Sequence, residues 1–272
     1  MEAACELGWN AMVYGEDALS IIEPRRGKWE MPVPEGIVMG FTPPDLGLIR
    51  QGMGIAEGIP RKVDFWDLWI CPDFRGKVGL AGPAFGAPAA VVLLERLIAL
   101  GAQGVIGVGS CGSLQPWLGI GSVVVPEVAL VEEGTSRQYA PGDSEAKSDP
   151  WLSEALVKAL RENGIVPRVG KVWTTDAVFR ETRGKVMAFQ RAGVLAVDME
   201  SSALMTVSAL RGVRFACALV VSDELGELRW KKGFHKEVFQ ESLKTVAGVA
   251  ASTLGTWLMA QPGGGKGDPP GC

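Results

Sequence analysis

Short apolar runs rich in Val, Ile and Ala alternate along this chain with longer stretches whose apolar residues recur at helical spacing. The runs are GIVMGF (36–41), KVGLAG (77–82), GVIGVG (104–109), GSVVVP (121–126), RVGKVWTT (168–175), GVLAVD (193–198) and FACALVVSD (215–223). Several are apolar throughout, as strands covered on both faces should be. The spacing predicts helices over 87–102, 149–164, 182–193, 200–212 and 236–260. Many of these close on Gly or Asn-Gly, the usual C-terminal stop, and Asp149-Pro150 supplies an N-cap and a first helical residue. Such alternation predicts an α/β fold, with one mixed or parallel sheet sandwiched by helices. No repeat or linker interrupts 36–260, which reads as a single domain. Residues 1–35 read as a less patterned leader, and the Gly/Pro-rich tail 261–272 is expected to be disordered.

Composition narrows the function classes. The chain has 272 residues, 47% of them hydrophobic, and a formal net charge of −4. It carries no Lys/Arg block, which argues against a nucleic-acid partner. No apolar run approaches the length of a membrane helix, and the start MEAACELGWN lacks a signal-peptide pattern. The five cysteines are scattered, with no CxxC pair, so neither a disulfide framework nor a zinc site is indicated. A reducing cytoplasm is the expected location. The single histidine, His235, sits at an amphipathic helix start and reads as a surface residue, so no multi-histidine metal centre is expected.

Polar residues inside apolar surroundings are more telling. In GVLAVDMESSAL (193–204), Asp198 and Glu200 fall where a strand hands over to a helix. A buried unpaired carboxylate costs several kcal/mol. Glu200 in particular needs paired donors, which a sugar diol would supply. Thr174, Thr175 and Asp176 end another run, with Phe179 and Arg180 just beyond, and Ser222-Asp223 end a third. Each alone reads as a cap or turn. Together they place polar groups at the carboxyl ends of several strands, the edge where α/β sheets bind ligands.

The stretch GVGSCG (107–112) is a literal G-x-G-x-x-G after a predicted strand. A dinucleotide site would need a helix to follow, yet SLQPWLGIG intervenes, broken by Pro116, Gly119 and Gly121. What remains is a tight Gly turn whose backbone N–H groups could form an anion nest, with the Ser110 hydroxyl as a further donor.

Taken in order, VGSCGSLQPWLGIGSVVVPEVALVEEGTS, VWTTDAVFRET, VLAVDMESSAL and LVVSDEL resemble the nucleoside phosphorylase family, which includes hexameric purine nucleoside phosphorylases and uridine phosphorylases. The resemblance spans roughly 77–260. It implies a central mixed sheet, partly closed as a barrel and flanked by helices. It also implies attack of inorganic phosphate, the co-substrate, on C1′ of a ribonucleoside, releasing free base and ribose 1-phosphate through an oxocarbenium-like transition state. Met199 and Glu200 match the pair that packs under the ribose and accepts its hydroxyls, with Asp198 as a helix cap. Asp223 matches the acid that protonates or hydrogen-bonds N7 of a leaving purine. Ser110 matches the phosphate-binding Ser, in a nest of Gly109, Cys111 and Gly112. Thr175, Asp176, Phe179 and Ser222 fall with the nucleoside-binding segments. No metal or organic cofactor is implied, and a homo-oligomer, dimer-based or hexameric, is.

The chain departs from the family pattern in three ways. Gly107 stands where the family has an Arg three residues before the Ser. The Gly-Asp-Pro phosphate loop is replaced by GFTPPDLGLIR, leaving Arg50, Arg61 and Arg75 as candidate substitutes. No uracil-reading Gln is evident, although EEGTS followed by RQY is closer to uridine-type members. Asp223 favours a purine or 6-oxopurine over uracil. A nucleoside hydrolase of the same fold and a non-catalytic nucleoside-binding protein remain the alternatives.

Overall fold

A computed structural model describes residues 20–260 of the chain; the expected disordered tail and the first part of the leader lie outside them. The strands are β1 (Gly36–Gly40), β2 (Arg61–Val63), β3 (Trp66–Ile70), β4 (Val78–Gly82), β5 (Gly104–Ser113), β6 (Val123–Val131), β7 (Glu145–Lys147), β8 (Arg168–Thr174), β9 (Ala196–Asp198), β10 (Arg214–Glu224) and β11 (Lys231–Lys232). The helices are α1 (Pro43–Gly52), α2 (Ala87–Ala99), α3 (Ser136–Tyr139), α4 (Pro150–Glu162), α5 (Arg183–Arg191), α6 (Ser201–Arg211) and α7 (Glu237–Ala260).

All strands join one mixed sheet. β10 pairs in parallel with β5 and antiparallel with β6, so β5, β10, β6, β8 and β9 close into a five-stranded barrel. β1, β4, β3 and β2 continue outward from β5. This is the central, partly barrel-like sheet that the resemblance implied. Helices cover both sides: one core cluster gathers α2 and α6, the other α1, α4 and α7. β5, β1 and β4 are buried almost throughout, which explains their unbroken apolar runs. Asp149 caps α4 as expected, accepting the Leu152 N–H at 2.7 Å. Among the described residues, no helix is long and apolar enough to cross a membrane.

The glycine motif is where the structure departs from expectation. Residues 107–112 are not a turn; they lie in β5, which runs on to Ser113, with Ser110 opposite Val220 and Gly112 opposite Asp223 of β10. No anion nest forms there, because the backbone is extended and its groups face neighbouring strands. The glycines serve close packing instead. A Cβ at Gly107 would lie 2.8 Å from Phe41 Cζ, and one at Gly109 2.5 Å from Phe41 Cδ2. The Phe41 ring thus fills the space beside Gly107, the position for which the resemblance implied an Arg.

The leader is tied to the domain. Arg61 donates to the carbonyls of Met31 and Pro32, and Arg96 to the Glu30 carboxylate and the Arg25 carbonyl.

Candidate active site

Three chain crossings build the site. The first is the β9–α6 junction. Asp198 ends β9 and caps α6 from three residues upstream: its Oδ2 accepts the Ser201 N–H at 2.8 Å, and its Oδ1 accepts the Thr174 hydroxyl at 2.7 Å. Thr174 Oγ1 in turn accepts the Ser202 N–H at 3.1 Å. Glu200, only 4% exposed, turns the other way, and its Oε1 accepts the Gly86 N–H at 2.7 Å. Gly86 precedes α2 with φ of 82°, a conformation side chains rarely permit, so a second helix N-terminus faces this acid.

The second crossing is the end of β10. Its register with β5 slips between Val221 and Asp223, and this bulge redirects the strand's last polar residues. Ser222 Oγ lies 3.2 Å from the Cys111 carbonyl and 2.7 Å from Asp223 Oδ1, while Trp230 Nε1 donates to Asp223 Oδ2 at 2.8 Å.

The third is the β1–α1 turn beside β5. Thr42 caps α1, and Ser110 Oγ lies 3.0 Å from Oδ2 of the buried Asp45.

These crossings surround a cavity of about 350 Å³. Ser110, Cys111, Gly112, Met199, Glu200, Ser222 and Asp223 line it, as does Phe179, which stands 92% exposed at its mouth. Thr175 and Asp176 do not. Thr175 Oγ1 instead accepts the Ala177 N–H, and Asp176 Oδ2 accepts the Gly134 N–H at 2.8 Å, so both brace the loop after β8. Gly109 also lies off the cavity, against Phe41. His235 is exposed, as expected.

Charge in the cavity is one-sided. Burial raises the carboxyls of Asp45, Asp198 and Asp223 above their ordinary range. Glu200 is raised by burial first and by Asp198 second, with Asp45 adding to the repulsion. Glu181 is pushed up to about 7 by burial and then by the charge of Asp223. Among the described residues no Lys, Arg or His lines the cavity. Of the candidate arginines, Arg50 pairs with Glu57 at 3.5 Å, Arg61 holds the leader, and Arg75 sits in the connection between β3 and β4.

Asp45, Glu181 and Trp230 escaped the sequence reading. Asp45 looks like an ordinary first-turn acid after Thr-Pro-Pro, and Glu181 and Trp230 lie in polar turn segments with no period to flag them. A further cue for Asp45 was its place just after the first predicted strand. No cluster suited to a metal ion occurs among the described residues.

The family model described as the Phosphorylase superfamily matches residues 36–255. The chain belongs to that superfamily. Within it, the chain is 34% identical over 160 residues to a DeoD-type purine nucleoside phosphorylase of Caldanaerobacter subterraneus, a match covering 56% of this chain and 67% of that one. A DeoD-type purine nucleoside phosphorylase of Bacillus cereus is 33% identical over 155 residues, covering 56% and 66%. The match therefore spans about two thirds of the length of these superfamily relatives. The crystal structure of uridine phosphorylase from Vibrio fischeri shares the fold, with a TM-score of 0.69 at 22% identity, over 86% of this chain and 100% of that one.

Proposed function

We propose that this superfamily member cleaves the N-glycosidic bond of a purine ribonucleoside, transferring the ribosyl group to inorganic phosphate. The observation that carries the reading is Asp223: a carboxyl at a strand bulge, clamped by Ser222 and Trp230, its proton affinity raised by burial, opposite Met199 and Glu200 in one cavity. A phosphate oxygen attacks C1′ as the C1′–N9 bond breaks. The bond's electron pair enters the purine, and Asp223 delivers its proton to N7. Glu200 accepts the ribose hydroxyls, and its charge favours the cationic sugar of the transition state. Ser110 donates its hydroxyl to phosphate. No metal or organic cofactor takes part in this scheme. Among the described residues the lining supplies no cation for phosphate, so a neighbouring copy in a homo-oligomer is assigned that contribution, and the exposed mouth at Phe179 suits such cover.

One observation favours a second reading. Ser110, in the lining of a cavity that among the described residues holds no cation, already faces a carboxylate, Asp45. Dianionic phosphate would meet repulsion there, whereas water would find a base. Under hydrolysis the water proton passes to the Ser110 hydroxyl as that hydroxyl gives its own to Asp45, and the products are free base and ribose.

The test of the purine assignment is release of free base from inosine, adenosine, guanosine and uridine. Purine nucleosides turning over faster than uridine supports it, and uridine turning over faster contradicts it.

A further inference from the structure

Glu181 is an acid without an assigned role. It follows the short helical turn Val178–Arg180 and lines the same cavity as Asp223. Asp223 has a partner on each oxygen, Ser222 on one and Trp230 on the other, which fixes its orientation. Two carboxyl groups therefore line the cavity that the leaving base must occupy, if Asp223 is to reach N7.

We infer that Glu181 reads the base together with Asp223, and that the pair selects a 6-aminopurine nucleoside over a 6-oxopurine. This rests on the purine reading above and sharpens it. Carboxylates only accept hydrogen bonds, and a neutral carboxyl adds a single donor. The exocyclic amino group of adenine brings two N–H donors and no lone pair in the ring plane, so it can donate to both acids. It also relieves their mutual repulsion. Hypoxanthine, and guanine at the same edge, would instead direct the lone pairs of O6 at Glu181, which when ionised has no proton to donate, while the proton of Asp223 is committed to N7. Leaving a buried acceptor facing another acceptor is the kind of mismatch that separates close analogues strongly. Burial first, and the charge of Asp223 second, raise Glu181 to about 7, so above that pH it meets the base as an acceptor.

The experiment compares the wild-type chain with Glu181→Gln, whose amide can donate to O6. It measures kcat/KM for adenosine, inosine and guanosine, and binding of adenine and hypoxanthine by calorimetry. For the wild-type chain, adenosine exceeds inosine and guanosine by about tenfold or more, and adenine binds more tightly than hypoxanthine. In E181Q both preferences fall to within about threefold. A wild-type preference for inosine or guanosine overturns the inference, as does an E181Q variant that keeps the adenine preference. Tighter adenine binding that E181Q abolishes, with no base released from any nucleoside, upholds Glu181 and overturns the catalytic reading instead.

Discussion

Glu200 accepts the Gly86 N–H at 2.7 Å, joining the start of α6 to the start of α2 across the cavity. That bond shows how the fold tolerates the acid without a substrate. It does not fully offset the burial, since the carboxyl still holds its proton more tightly than an ordinary Glu. Glu200→Gln keeps an acceptor for Gly86 and loses the charge. Steady-state assays should show kcat/KM lower by about 10²–10³-fold. Thermal melts on the alkaline side of neutral, where Glu200 is ionised, should show a Tm equal to or above wild type, because a buried charge has been removed.

The cavity acids also predict how stability varies with pH. Asp45, Glu181, Asp198, Glu200 and Asp223 all bind protons more tightly when folded. For such groups the stabilisation is fully present below the unfolded-state carboxylate range and is lost as pH rises through the folded value. For Glu181 that window runs from the ordinary value of 4.5 to about 7. Melting curves at pH 5, 6, 7 and 8 should therefore show Tm falling as pH rises, more shallowly in E200Q. A Tm that rises across this range would contradict the charge distribution described.

Removing the acid at the base should slow chemistry rather than binding. Asp223→Asn retains hydrogen-bonding atoms for Ser222 and Trp230 but has no carboxyl proton to deliver. The expected loss in kcat is about 10²–10⁴-fold, with KM changed little. A loss confined to KM would make Asp223 a binding residue only.

Close packing at β5 gives a prediction independent of chemistry. A Cβ at Gly109 would stand 2.5 Å from the Phe41 ring. Gly109→Ala should cost about 1–3 kcal/mol by denaturant unfolding. Adding Phe41→Leu should recover part of the loss, because the smaller side chain yields the space.

Much of this was legible in the residues, and for a definite reason. Buried strands such as β1, β4 and β5 advertise themselves through uninterrupted apolar runs, and α4 through its Asp-Pro start. Glu200, Ser110 and Asp223 stood out because polar groups at the ends of such strands have few structural reasons to be there. The short hairpin β2–β3 was not legible, since its mixed polar composition lacks a clear period. The glycines at 107–112 misled because close packing and tight turns demand the same residue. Only the structure shows Phe41 against Gly107 and Gly109, and Leu225 against Gly112. Thr175 and Asp176 were placed in the site by their position beside Thr174, yet alternate directions in and after a strand sent them to brace a loop. Asp45 and Glu181 become visible only when the turn after β1 is brought against Ser110 and the segment after β8 to the cavity.

The central claim is ribosyl transfer to phosphate, and one measurement bears on it most directly. Release of free base from a purine nucleoside is followed in phosphate-free buffer and with added phosphate, with ribose 1-phosphate quantified alongside. The account predicts turnover that depends on phosphate, with ribose 1-phosphate formed in equal amount to the base. Undiminished base release without phosphate, accompanied by free ribose, would contradict it and make Asp45 the base that activates water.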